Sequence, residues 1–275
     1  MKNGRKGREK YRHEWKYLIS EGEKELMLSR MRPVFSRDRH ASGGYLIRSL
    51  YFDDYENSAY EQKADGVLER KKYRIRIYNY SDSPIKLERK NKYDAYIYKE
   101  SADLTHAEFD RIMAGDYAFL LSNPQPLCRE FYVECVSNFL RPRVIVEYDR
   151  EPWLLDAGTV RVTFDCNVRA AVGSFDLFDP ALPCLSVLDP GMVLLEVKYT
   201  ELLPQIVRDL LPPQAADMTA FSKYTMCCEK TAYLYAPEYF CEEGNDMPAR
   251  SRAFAAPYRA DAYVFPRYTK NHPLF

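Results

Sequence analysis

Between residues 44 and 100 the chain changes character at every second residue, and that period limits what it can fold into more than any other feature. In KKYRIRIYNYSDSPIKLERK, residues 71 to 90, Arg74, Arg76 and Tyr78 share one side of an extended chain, with Ile75 and Ile77 on the other. After a turn from Ser81 to Pro84, Lys86, Glu88 and Lys90 share one side opposite Ile85 and Leu87. A helix would spread these residues round its axis; a strand sends successive side chains to opposite faces. The stretch therefore reads as a hairpin with one apolar and one charged face.

The same period runs through YLIRSLYFDD and DAYIYKE, giving strands joined by short polar turns, and returns later in the chain. In PRVIVEYDR, Val146, Tyr148 and Arg150 share a side. In TVRVTFD, Arg161, Thr163 and Asp165 oppose Val162 and Phe164. In MVLLEVKY, Leu194, Glu196 and Lys198 oppose Leu195 and Val197. Helices are expected where the period lapses. Ser20 with Glu23 and Thr105 with Glu108 have capping-box spacing, which starts helices at Glu21 (to about Met31) and after Thr105, the latter ending near Gly115. Further helices are expected from about Cys128 to Asn138, in ELLPQIVRDLL, and in AFSKYTMCCEKTAYL. Many antiparallel strands with a few helices outside them make an α+β protein with one large sheet.

A charged strand face has two explanations: solvation of a half-buried sheet, or a site for a polyanion. Arginine at several positions favours the second, because its rigid fork matches phosphate oxygens. So do Glu88 and Glu196 on the same faces, since hard carboxylate oxygens suit a divalent metal. Forty lysines and arginines are offset by 40 aspartates and glutamates. Any anion site is thus a local concentration of positive charge, and a nucleic-acid-binding protein, with its net basic excess, is not the expectation.

Hydrophobic residues at 46% and charged ones at 29% place the chain among globular proteins. No run approaches the roughly 20 apolar residues of a membrane helix, and the basic N-terminus has no apolar signal segment. Seven cysteines without a CxxC pair fit free thiols in a reducing compartment, so a cytoplasmic location is expected. Four histidines without metal-ligand spacing, and the absence of GxGxxG and GxxxxGK[ST], leave no support for a histidine metal site, a Rossmann fold or a P-loop.

The ordered set EWKYLI, SLYFDD, YRIRIY, IKLERK, YDR, VRVTFD, LLEVKY and FSKY resembles the polyphosphate polymerase (VTC, vacuolar transporter chaperone) domain of the triphosphate tunnel metalloenzyme, or CYTH-like, superfamily. The resemblance covers residues 11 to 235. It leaves 1–10 as a disordered basic lead-in and 236–275 as a tail, flexible or docking. It implies an antiparallel β-barrel tunnel with surrounding helices. The implied activity is metal-dependent transfer of the γ-phosphoryl of ATP to a growing inorganic polyphosphate, releasing ADP.

By position, the resemblance implies that Arg74, Arg76, Lys90, Arg150, Arg161 and Lys223 grip the reacting phosphates. Lys16, Tyr148, Lys198 and Ser222 are implied as substrate contacts, with Lys86, Lys92 and Lys99 extending the cationic path. Glu196, Glu88 and Glu14 are the implied ligands of Mn²⁺ or Mg²⁺. Related tunnel triphosphatases begin with a Glu-x-Glu-x-Lys strand, whereas this chain has Arg12-His13-Glu14-Trp15-Lys16. Loss of the first carboxylate favours transfer over hydrolysis. A tunnel-type phosphohydrolase acting on triphosphate, nucleoside triphosphates or short polyphosphate and a non-catalytic polyphosphate- or nucleotide-binding module are the alternatives. Segments matching the membrane helices of the eukaryotic subunits are not found, so no membrane insertion by this chain is expected. A protein partner for polyphosphate export or storage then becomes an expectation.

Overall fold

The computed structural model describes residues 13–38, 43–93, 96–200, 202–211 and 222–234. The expectations for 1–10 and 236–275 fall outside them. Among the described residues the quoted period-two segments form strands, although the stretch from 54 to 68, expected to be a polar turn, contains a helix. The strands are β1 (His13–Ser20), β2 (Ser36–Arg37), β3 (Tyr45–Asp53), β4 (Glu69–Tyr78), β5 (Ile85–Tyr93), β6 (Tyr96–Leu104), β7 (Arg141–Leu155), β8 (Val160–Ala171), β9 (Cys184–Ser186) and β10 (Met192–Tyr199). The helices are α1 (Glu21–Met31), α2 (Ser58–Ala64), α3 (His106–Met113), α4 (Pro126–Ser137), α5 (Gln205–Leu210) and α6 (Lys223–Thr231). Both capping boxes are formed: the Ser20 and Thr105 side chains accept from the backbone N–H of Glu23 and Glu108, whose carboxylates accept from the cap residues in return.

All ten strands belong to one antiparallel sheet. Its main path runs β1-β10-β8-β7-β3-β4-β5-β6, with β2 on β7 and β9 on β8. Here the structure corrects the expected barrel: the path has two free ends, and among the described residues no backbone ladder joins β1 to β6. The edges are linked by side chains instead. Lys90 on β5 reaches Glu14 on β1 at 2.8 Å, and the His13 and Tyr96 rings lie 6.3 Å apart. Closing a barrel requires strand tilt and register stagger that agree all the way round. Alternation says which side a residue faces and nothing about that agreement.

Apolar residues pack on both sides of the curled sheet. Outside β3–β6, Leu50, Ile75, Ile77 and Leu87 meet Phe109 of α3 and Phe131 of α4. Outside β1, β8 and β10, Tyr17, Phe164 and Leu195 meet Met27 and Met31 of α1 and Val207 of α5. On the inner face a third cluster joins Ile47, Val144, Val146 and Leu194 to Tyr224, Cys227 and Cys228 of α6. α6 thus covers the apolar part of the concave side and leaves the charged part open. None of the helices among the described residues is long and apolar enough to cross a membrane.

Candidate functional site

The registers bring the charged positions of successive strands side by side. Glu14 lies opposite Lys198, Lys16 opposite Glu196, and Lys198 opposite Arg161. Arg150 lies opposite Asp165 on one side and Tyr45 on the other. Ser49 and Tyr51 oppose Arg76 and Arg74, and Arg74 opposes Glu88. The faces converge on a cavity of about 550 Å³ lined from β1, β3, β4, β5, β6, β7, β10, α2 and α6. Eleven lysines and arginines line it, against two glutamates.

Twelve of the sequence-selected residues line this cavity: Glu14, Lys16, Arg74, Arg76, Lys90, Lys92, Tyr148, Arg150, Glu196, Lys198, Ser222 and Lys223. The other four lie elsewhere. Glu88 is buried directly behind the lining, bonded to Arg74 through Nε and Nη2 (both 2.7 Å) and paired with Lys99. Lys86 pairs with Asp103 on β6. Arg161 donates to the Tyr45 hydroxyl at 3.1 Å and reaches Asp38 at 3.4 Å.

Carboxylates hold the innermost cations in place. Arg150 meets Asp165 through two parallel hydrogen bonds of 2.6 and 2.7 Å, the geometry for which a guanidinium is preorganised. Glu196 receives Lys223 at 2.8 Å, Lys198 at 2.9 Å and Arg150 at 3.2 Å. Glu14 receives Lys90 at 2.8 Å, with Lys16 and Lys198 at 3.5 and 3.7 Å. Tyr148 accepts from Arg76 at 3.2 Å, and Lys223 and Arg150 stand over its ring.

These pairings decide the charge states. Burial opposes the ionised form of Glu196, yet Lys198, Lys223, Arg150 and Lys16 outweigh it and hold the carboxyl well below its usual range. Glu14, Glu88 and Asp165 are held down in the same way, against burial, by their cations. Burial would raise the Tyr148 phenol, but Arg150 and Arg76 pull it below its ordinary value. Lys90 goes the other way. Burial, with Lys16 and Lys198 nearby, lowers its ammonium to about 8 although Glu14 opposes the shift.

The expected metal sets a test of the donor set. Among the described residues no three carboxylate, histidine or cysteine side chains converge into a cage. Glu14 and Glu196 line the cavity and approach a common Lys198, whereas Glu88, paired with Arg74 and Lys99, lies outside the lining. One or two hard carboxylates, with phosphate oxygens supplying the other ligands, is the usual arrangement for Mg²⁺ beside a phosphate substrate. Glu196 and Glu14 fit that arrangement in type and placement.

The sequence reading passed over Tyr51, Lys63, Arg70, Lys72, Asp165 and Tyr224 as site residues. Arg70 and Lys72 continue the even-numbered face of Arg74 and Arg76, and Asp165 shares a face with Arg161, so the period already contained them. Lys63 comes from α2, in a stretch read as a turn between strands, and nothing in the local pattern links it to β4.

Residues 11–232 match the family described as "VTC domain". No curated protein matches the chain. Among solved structures, HpAC1 from Hippeastrum, described as having a dominant triphosphatase activity, is 13% identical with a TM-score of 0.46, covering 80% of this chain and 96% of its own. The PH1819 protein from Pyrococcus horikoshii OT3 is 12% identical with a TM-score of 0.41, covering 80% and 99%.

Proposed function

Because the chain belongs to the VTC domain family, we propose that it is an ATP:polyphosphate phosphotransferase, which moves the γ-phosphoryl of ATP onto the end of an inorganic polyphosphate and releases ADP. The observation that carries this reading is the 550 Å³ cavity, in which eleven cations face two glutamates. That surplus suits a triphosphate meeting a polyphosphate end.

In the step, the bond from the γ-phosphorus to the β–γ bridging oxygen breaks as a bond forms to a terminal oxygen of the acceptor chain. The attacking oxygen is already ionised at neutral pH, so no strong base is required. Catalysis then rests on alignment and on stabilising the spreading charge. Arg150, fixed by Asp165, and Lys223, fixed by Asp165 and Glu196, are rigid donors suited to the transferring group. Arg74 and Arg76, anchored by Glu88, Tyr51 and Ser49, offer a second pair, which Tyr148 links to Arg150. A divalent ion, Mn²⁺ or Mg²⁺, held by Glu196 and Glu14 would neutralise phosphate charge.

The test incubates the protein with ATP and Mn²⁺ and follows ADP, free phosphate and long-chain polyphosphate. ADP matched by polymer is the expected result. Free phosphate without polymer would identify a triphosphatase, and tight binding without turnover a binding module; either overturns the proposal.

A further inference from the structure

The cavity is electrically lopsided. Around β10 and β7 each cation meets a carboxylate, but toward α2 that compensation stops. Lys63 of α2 and Arg70 and Lys72 of β4 also line the cavity, and among the described residues none of the three has a carboxylate in ion-pair contact. Arg70 is held by a carbonyl, that of Val67. The Lys72 ammonium is shut off from water without a hydrogen-bond partner, parked 4.4 Å over the Tyr224 ring.

The acid that acts on Lys72 is Asp53, which is occupied by the Ala59 and Tyr60 amides and the Tyr224 hydroxyl. Half-buried cations crowded without an anion repel one another at low dielectric and stabilise nothing by themselves. A bound anion reverses the sign of that term. Arg70 and Lys92 also line an adjoining space of about 610 Å³, beside Glu69, Tyr93, Tyr96, Tyr98 and a Lys71 that is paired with Glu134, so a chain leaving the cavity here has somewhere to go.

We propose that Lys63, Arg70 and Lys72 form a second anion subsite, which holds phosphate groups of an inorganic polyphosphate chain distal to the reacting ones. This rests on the proposed function and names where the acceptor chain lies. Lys72 swings from Tyr224 to phosphate and gains a proton as it does so. The groups facing it are Asp53 of β3, Lys63 of α2, Arg70 on its own strand, Lys90 across the ladder on β5, and Tyr224 and Cys228 of α6. Burial, reinforced by Arg70 and Lys63 against the pull of Asp53, holds the free ammonium at about 7, so anion binding draws a proton from solution at neutral pH and above.

The experiment measures binding of metal-free tripolyphosphate and of a several-fold longer polyphosphate, by calorimetry at about pH 8 in two buffers of different ionisation enthalpy. Wild type is compared with Lys63→Gln/Arg70→Gln/Lys72→Met and with Lys72→Met alone. Wild type should prefer the longer chain by roughly ten- to hundredfold, the worth of one charge-assisted contact. The triple variant should lose most of that preference, its affinity for tripolyphosphate falling by less than its affinity for the longer chain. Lys72→Met should take up less proton on binding the longer chain.

No length preference in wild type, an equal loss for both ligands, or unchanged proton uptake in Lys72→Met would overturn the subsite and leave the catalytic cavity standing. Failure of wild type to bind tripolyphosphate at all would overturn the functional reading and the subsite with it.

Discussion

At the scale of single residues the site is a set of carboxylates that position cations. Glu196 holds Lys223, Lys198 and Arg150 within 3.2 Å. Glu196→Gln keeps the shape and removes the charge, while Asp165 still anchors Arg150 and Lys223. We expect the far-ultraviolet circular dichroism to be unchanged and Mn²⁺-dependent ADP release to fall by roughly 10²-fold, the scale of one preorganised electrostatic contact. Full activity would remove Glu196 from the metal assignment. Asp165 is wholly buried, and both of its oxygens are taken by Arg150. Asp165→Asn leaves two buried cations under-compensated, and we expect a loss of roughly 3–5 kcal/mol in urea unfolding. Tripolyphosphate should restore part of it by supplying the missing negative charge.

Among the elements, α6 joins fold to site. Its Tyr224, Cys227 and Cys228 pack on the inner face, its first residue is Lys223, and the Ser222 hydroxyl accepts from the Thr225 amide as N-cap. Ser222→Ala should cost about 1 kcal/mol in thermal or urea unfolding. It should also weaken substrate binding more than the same loss at Thr105, whose helix α3 lies away from the cavity. An equal effect of the two substitutions on binding would detach α6 from the site.

α2 is the element that local patterns hid. Its N-cap residue, Asn57, sits at φ 56° with no side-chain cap bond. The first turn is capped from upstream, by Asp54 on the Ser58 amide (2.8 Å) and Asp53 on the Ala59 and Tyr60 amides (2.8 and 3.1 Å). With the acceptors four to seven residues before the donors, no capping-box spacing exists to read.

Across the whole molecule, formal neutrality conceals a concentrated positive interior. Tripolyphosphate affinity should therefore fall steeply with salt, as phosphate binding exchanges small ions for fixed cations. Arg74→Ala should lower the affinity and flatten that dependence, measured from low to physiological ionic strength. Unchanged affinity would place the Arg74 face outside the binding path. Acid acts through the same cluster. Glu14, Glu88, Glu196 and Asp165 have carboxyls held below their unfolded values. Their stabilisation is complete above about pH 4, the unfolded range, and is lost as pH falls through the lower folded values. Equilibrium unfolding should show stability dropping below about pH 4, and less steeply in Asp165→Asn.

Local chemistry sufficed for part of this. Period two assigned each strand its faces, and placed Arg74, Arg76, Glu196 and Lys198 on charged sides opposite core residues. Capping-box spacing started α1 and α3, because both partners of the cap lie within four residues. The tertiary structure decided the rest. It left β1 and β6 unladdered, gave Glu196 rather than Glu88 the central cations, and brought Lys63 of α2 beside β4. Sheet closure, cross-strand register and helix docking depend on contacts between residues far apart in the chain. A two-residue period fixes a side chain's face and leaves open which strand that face will meet.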